Sequence, residues 1–214
     1  MTDFTFDEPT HTYRYNGKVV PSVTTILGSW KLIKYGSSEF YVNTIDGTVV
    51  DKETFEAAGD KGTSIHKGAP LVLAGTLDWD ELDLSLLVPL RQLEEWQKDM
   101  KPEVIAVEKP LYSEKHGYAG TPDLVCRIGR DVMIVDFKSG AYGCAGPQLA
   151  AYVELDKENT GYKGLACYRG TMKRFVLDLS GKTKSYKFIR QENPHDLDFF
   201  RARHYQFNYL QGVK

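Results

Sequence analysis

The most regular hydrophobic pattern in the chain is a pair of apolar runs, TPDLVCRI (121–128) and VMIVDFKS (132–139), parted by Gly129-Arg130-Asp131. β-Branched and aromatic residues fill both runs, and a glycine-containing break between two such runs predicts a β-hairpin. Before them, EVIAVEKPLYS (103–113) opens a sheet, with Val104, Ala106 and Glu108 sharing one face by alternation. A second hairpin is expected over HTYRYNGKVV (11–20), turning at Asn16-Gly17, and PSVTTIL follows with Pro21 and Ser22 placed to start a helix. Helices are predicted over 52–74, tightened or interrupted around Gly59 and Gly62, and over 82–100, interrupted or kinked at Pro89. In the second of these, Leu86, Leu90, Leu93 and Trp96–Gln97 form the buried stripe. A short helix is expected over 38–45, another from about Pro147, then strands near 161–168, 173–179 and 185–190 and a last helix near 194–211. No repeat, low-complexity tract or interdomain linker interrupts this order. The expectation is one α/β domain over 1–214, with a mixed central β-sheet flanked by helices. Residues 1–50 supply a hairpin and helices, 51–155 the core, and 156–214 further strands and a helix.

Composition narrows the class. A chain of 214 residues, 42% hydrophobic and 26% charged, is an ordinary globular protein with room for a core. No run is long enough to span a bilayer, and the polar start MTDFTFDEPT is neither signal nor transit peptide, so no membrane is expected. The expected location is cytoplasm, that of the host if the gene is viral. Cys126, Cys144 and Cys167 are widely spaced and make no zinc pattern, so they read as reduced thiols. Net charge is −2, but it is unevenly spread: from Lys157 onward there are 12 Lys+Arg against 5 Asp+Glu, a balance of +7. A basic C-terminal region fits a phosphate-tracking surface as well as a solvated face.

The candidate chemistry lies on the central hairpin. Alternation puts Asp136 and Lys138 on one face, and pairing of the two runs can bring Asp123 beside Asp136. Val135 and Phe137 flank Asp136, so these charges sit in an apolar run, where they are costly unless paired or bound to a metal. Carboxylates and waters are what Mg²⁺ or Mn²⁺ prefers, and such an ion activates water and polarises a phosphoryl oxygen. Lys138 is then expected to steady the water or the developing negative charge. No Ser or Cys stands in a nucleophilic constellation and no G-x-x-x-x-G-K-[ST] loop occurs, which excludes a covalent hydrolase and an NTP-driven motor. Trp30, Tyr35, Phe40 and Tyr41 are read as core or junction cover rather than base-stacking residues, and His11 as structural or exposed.

Pro122-Asp123 with Asp136-Phe137-Lys138 resembles the signature of the PD-(D/E)XK nuclease superfamily. The agreement is more specific with its RecB-like exonuclease branch, which adds a histidine on an earlier helix (GTSIH, ending at His66). It also adds an acid on the preceding strand (Glu108) and a Q-x-x-x-Y helix motif, here Gln148 to Tyr152. The likeness covers roughly residues 60–155, and the aromatic hairpin followed by PSVT resembles phage-encoded members. Phage exonucleases and the mitochondrial genome maintenance exonuclease are similar in this way. The resemblance implies a restriction-endonuclease-like core and an enzyme hydrolysing phosphodiesters of DNA, single-stranded or with ends, in replication, recombination or repair, alongside a recombination or replication protein. It implies one or two Mg²⁺ or Mn²⁺ ions held by His66, Glu108, Asp123, Asp136 and the Phe137 carbonyl. Lys138 serves catalysis in that scheme, and Gln148 and Tyr152 support DNA and site. The four cluster cysteines of the iron–sulfur relatives are missing, so no iron–sulfur cluster is expected. A structure-specific endonuclease, or a DNA-binding subunit with a vestigial site, is the alternative.

Overall fold

The computed structural model describes residues 3–28, 30–45, 47–140, 143–160 and 172–212. The strand expected near 161–168, and Cys167, lie outside them. Strands β1 (Phe4–Asp7), β2 (Thr12–Tyr15) and β3 (Lys18–Val20) form a small antiparallel sheet. The hairpin at Asn16-Gly17 is as expected, and β1 adds a strand that the sequence pattern did not announce. Ser22 caps α1 (Val23–Leu27) by accepting from the Thr25 amide, satisfying an otherwise orphan donor.

Next come β4 (Trp30–Tyr35), β5 (Ser38–Asn43) and β6 (Val49–Asp51), an antiparallel sheet of its own. The short helix expected over 38–45 is therefore a strand. Gly36, at φ 61°, turns the chain so that Tyr35 pairs with Ser38, and the extended form lets Tyr41 stack on Phe55 at 4.0 Å. Trp30 packs on the same ring. Of the four aromatics, Trp30 and Tyr41 cover a junction, and Tyr35 stands exposed at the hairpin tip.

Asp51 accepts from the Thr54 amide and starts α2 (Lys52–Ala74), which runs unbroken through Gly59 and Gly62 and stops at Gly75. Helix α3 (Leu84–Met100) likewise continues through Pro89, capped by Asp83 and burying Leu90, Leu93 and Trp96 completely.

The central sheet has the order β13-β12-β11-β10-β7. It is built from β7 (Glu103–Val107), then, after the small β8 (Leu111–Ser113) and β9 (Tyr118–Gly120) ribbon, β10 (Leu124–Ile128) and β11 (Asp131–Lys138). Helix α4 (Ala145–Thr160) follows, then β12 (Lys173–Asp178), β13 (Lys187–Arg190) and α5 (Asp196–Leu210). The β10–β11 turn is the two residues Gly129-Arg130, because Asp131 already pairs with Ile128. Strands β11 and β12 run parallel and the other neighbours antiparallel, so the sheet is mixed. Alternation along β10 and β11 feeds two cores. Val125, Val132 and Ile134 face Leu149, Tyr152 and Phe200 on one side, and Leu124, Val135 and Phe137 face Ile65, Leu90 and Trp96 on the other. Among the described residues the protein is thus a mixed α/β fold of five helices, with helices on both faces of the central sheet. None of those helices is long and apolar enough to cross a membrane.

Candidate metal centre

The register of β10 on β11 decides the site. Leu124 pairs with Val135, so the next position outward sets Asp123 beside Asp136. Both carboxylates are buried, on the face that packs against α4. Asp123 Oδ2 accepts the backbone N–H of Phe137 at 2.6 Å, so the strand that carries Asp136 also braces Asp123. Asp136 Oδ1 accepts from Lys138 Nζ at 3.1 Å and from Gln148 Nε2 at 3.0 Å. Its Oδ2 lies 2.9 Å from the same ammonium but receives no directed hydrogen bond.

Helix α4 delivers the rest of this corner. Gln148 and Tyr152 are one turn apart, and Gln148 Nε2 also donates to the Tyr152 hydroxyl at 3.2 Å, while Lys138 donates to Gln148 Oε1 at 3.3 Å. The ring of Tyr152 lies on Gly120, where any Cβ would come within 2.5 Å of it. A glycine is required there by close approach.

His66 arrives from α2. Its Nδ1 is 3.1 Å from Glu108 Oε1 and 3.4 Å from Asp123 Oδ1. Glu108 gets there by a route that alternation does not describe. It lies just past the end of β7 in left-handed backbone (φ 44°), its amide donating to the Asp123 carbonyl at 3.0 Å, beyond a register shift between β7 and β10. A non-glycine residue held in that region costs about 1 kcal/mol or more, and such strain gathers at functional sites.

Charge and burial shift the titration of several groups here. The Asp123 charge, opposed by burial and helped by the hydrogen bonds that His66 donates to Asp123 and Glu108, lifts His66 to about 11. Burial pushes Asp136 up to about 6, against the pull of Lys138, and raises Glu108 as well. Burial opposes the ammonium of Lys138, but the negative charges of Asp136 and Asp123 outweigh it and raise the lysine's pKa. The direction of the His66 shift reflects the negative charge of the carboxylates around it. One atom each of His66, Glu108 and Asp123 lies within 4.8 Å of the others, and oxygen donors with one imidazole suit Mg²⁺ or Mn²⁺. Asp136 stands behind these three, tied to Lys138 and Gln148, with one carboxylate oxygen lacking a directed donor. The residues fit the ion.

Two neighbours escaped sequence reasoning. Tyr13 of β2 is buried, with its hydroxyl 2.8 Å from Thr121 Oγ1 and 3.2 Å from His11 Nε2. Burial, and then the charge of His66, lower the pKa of His11. Both belong to a hairpin more than a hundred residues away in sequence, and no local pattern flags them. Conversely, much of the C-terminal basic excess is spent on structure. Lys173 pairs with Asp131, Arg174 with Asp196, Arg190 with Glu192 and Arg201 with Glu154, and Arg203 donates to the Leu27 carbonyl at the end of α1. Lys182, Lys184 and Lys187 remain on the surface. Comparison with protein-family models and with curated proteins finds no match to this chain.

Proposed function

We propose that the chain is a divalent-metal-dependent deoxyribonuclease built on a restriction-endonuclease-like core, acting as an exonuclease. The observation that carries this reading is the meeting of Glu108, Asp123 and Asp136 with His66 and Lys138 at one end of the central hairpin. His66, Glu108 and Asp123 would hold the ion, with Asp136 and the Phe137 carbonyl completing one or two sites. When bound, Mg²⁺ or Mn²⁺ supplies Lewis acidity towards a phosphoryl oxygen and makes water a competent nucleophile near neutral pH. The protein's own contribution is placement. Lys138 presents an ammonium fixed by Asp136 and Gln148, so it meets developing negative charge without first reorganising. Gln148 keeps one oxygen of Asp136 occupied and orients the other, and Tyr152 anchors Gln148 over Gly120. The surface lysines near β13 offer phosphate contacts outside the centre. The proposed substrate is DNA with an end or a single strand, and the proposed setting is the cytoplasm, in replication, recombination or repair.

A gel time course tests the reading, using end-labelled single strands, linear duplex and closed circles in Mg²⁺, Mn²⁺ or EDTA, with Asp136→Ala alongside. Laddering from one end of linear DNA, lost in EDTA and in the variant, is the expected result. Cut circles would make it an endonuclease on the same site. Uncut DNA in every metal would leave a DNA-binding or recruiting subunit with a vestigial centre.

A further inference from the structure

A groove of about 660 Å³ lies between β2 and β3, the turn at His116-Gly117 and the last turn of α5. That volume is in the range of built ligand pockets, roughly 300–1,000 Å³. Tyr13, Tyr15, Tyr112 and Phe207 give it aromatic walls, and Val19 and Pro21 extend its apolar lining. No carboxylate lines it, and Lys18 stands exposed at its border. A second pocket of about 560 Å³ shares Tyr15 and Tyr112, which stack at 4.4 Å, but Glu114 and Glu158 line it together with Lys115. Carboxylates therefore line the second pocket and not the first, which makes the first the better suited to a chain of phosphates.

The first groove also connects to the metal centre. Tyr13 lines it, and the same residue's hydroxyl binds Thr121, two residues before Asp123. His11 also lines the groove, near enough to His66 to feel its charge. Thr25 and Gln211 add hydroxyl and amide groups that donate or accept, so they can meet any base edge.

We propose that this groove seats an unpaired nucleobase of a single strand whose neighbouring phosphate reaches the Glu108–Asp123 cluster. The nature of the polymer rests on the nuclease reading, and the base-binding role rests on the groove. Stacking on Tyr15 supplies affinity without sequence preference, because every base has a π-face. Duplex ends would have to fray to enter.

Fluorescence anisotropy in EDTA tests this without metal or cleavage. The probes are a short labelled oligothymidylate, an abasic phosphodiester chain of the same length and a blunt duplex. The oligothymidylate should bind on the order of tenfold tighter than the other two, and Tyr15→Leu and Lys18→Glu should each weaken it by about that factor. Mn²⁺ affinity should stay as in the wild type, since neither residue touches His66, Glu108 or Asp123, and Lys18→Glu, on an exposed side chain, should leave thermal melting unchanged as well. Equal affinity for the abasic chain, or wild-type affinity in both variants, overturns the proposal. Groove binding that persists in a protein unable to cut DNA in Mn²⁺ would sink the nuclease reading alone.

Discussion

Nδ1 of His66 lies 3.1 Å from Glu108 Oε1, joining the middle of α2 to the end of β7 across the mouth of the proposed metal site. This pair is an imidazolium–carboxylate contact, since His66 is lifted to about 11. A ligand imidazole must be neutral, so binding an ion there expels a proton.

Metal affinity should consequently rise with pH. With one proton released, the Mn²⁺ dissociation constant falls about tenfold per pH unit between pH 7 and 9. Below pH 6 the slope steepens as Asp136, raised to about 6, also takes up a proton. Calorimetric titration in buffers of different ionisation enthalpy reads the released proton directly. His66→Ala should remove the pH 7–9 slope while weakening binding.

Asp136 makes the opposite statement about stability. Its folded-state pKa of about 6 lies above the ordinary carboxylate value of 3.8, so its contribution is fully present below that value. The contribution is lost as pH rises through about 6. In EDTA, denaturation of the wild type relative to Asp136→Asn should show a relative loss on the order of 3 kcal/mol between pH 3.5 and 7. Parallel pH profiles for the two proteins would mean that burial of this carboxylate costs nothing.

Lys138→Ala separates binding from chemistry. The variant keeps His66, Glu108 and Asp123 and should bind Mn²⁺ within a few-fold of wild type. Single-turnover cleavage should fall by about 10²–10³, the usual effect of deleting one preorganised charge-stabilising donor. Near-wild-type cleavage would remove Lys138 from the mechanism.

The first turn of α4 is fixed from outside the centre. Arg174 donates to the Gly146 carbonyl at 3.1 Å and to Asp196 Oδ2 at 2.8 Å. A Cβ on Gly146 would meet that carboxylate at 2.5 Å. Gly146→Ala should cost about 1–3 kcal/mol in a denaturant titration. Because Gln148 follows two residues later, the substitution should also lower kcat more than it raises KM. Loss of stability with kcat unchanged would show that the latch does not position Gln148.

What the sequence determined by itself are the features written in local periodicity. Alternation put Asp136 and Lys138 on one face, Gly129 announced the hairpin that sets Asp123 beside Asp136, and i,i+4 spacing aligned Gln148 with Tyr152. The Asn16-Gly17 turn and the stripe Leu90, Leu93 and Trp96 were legible for the same reason. Only the tertiary structure decided the rest. Residues 38–43 became a strand because pairing with β4 and stacking on Phe55 outweigh a weak helical pattern. Glu108 reached His66 through a left-handed residue, a backbone state that side-chain alternation cannot encode. Tyr13 and His11 came to the centre from the other end of the chain, and Lys173, Arg174, Arg201 and Arg203 were taken by partners distant in sequence. Hydrogen-bonded turns and repeating faces depend on neighbours a few residues away, whereas a metal centre depends on which distant segments the packed core brings together.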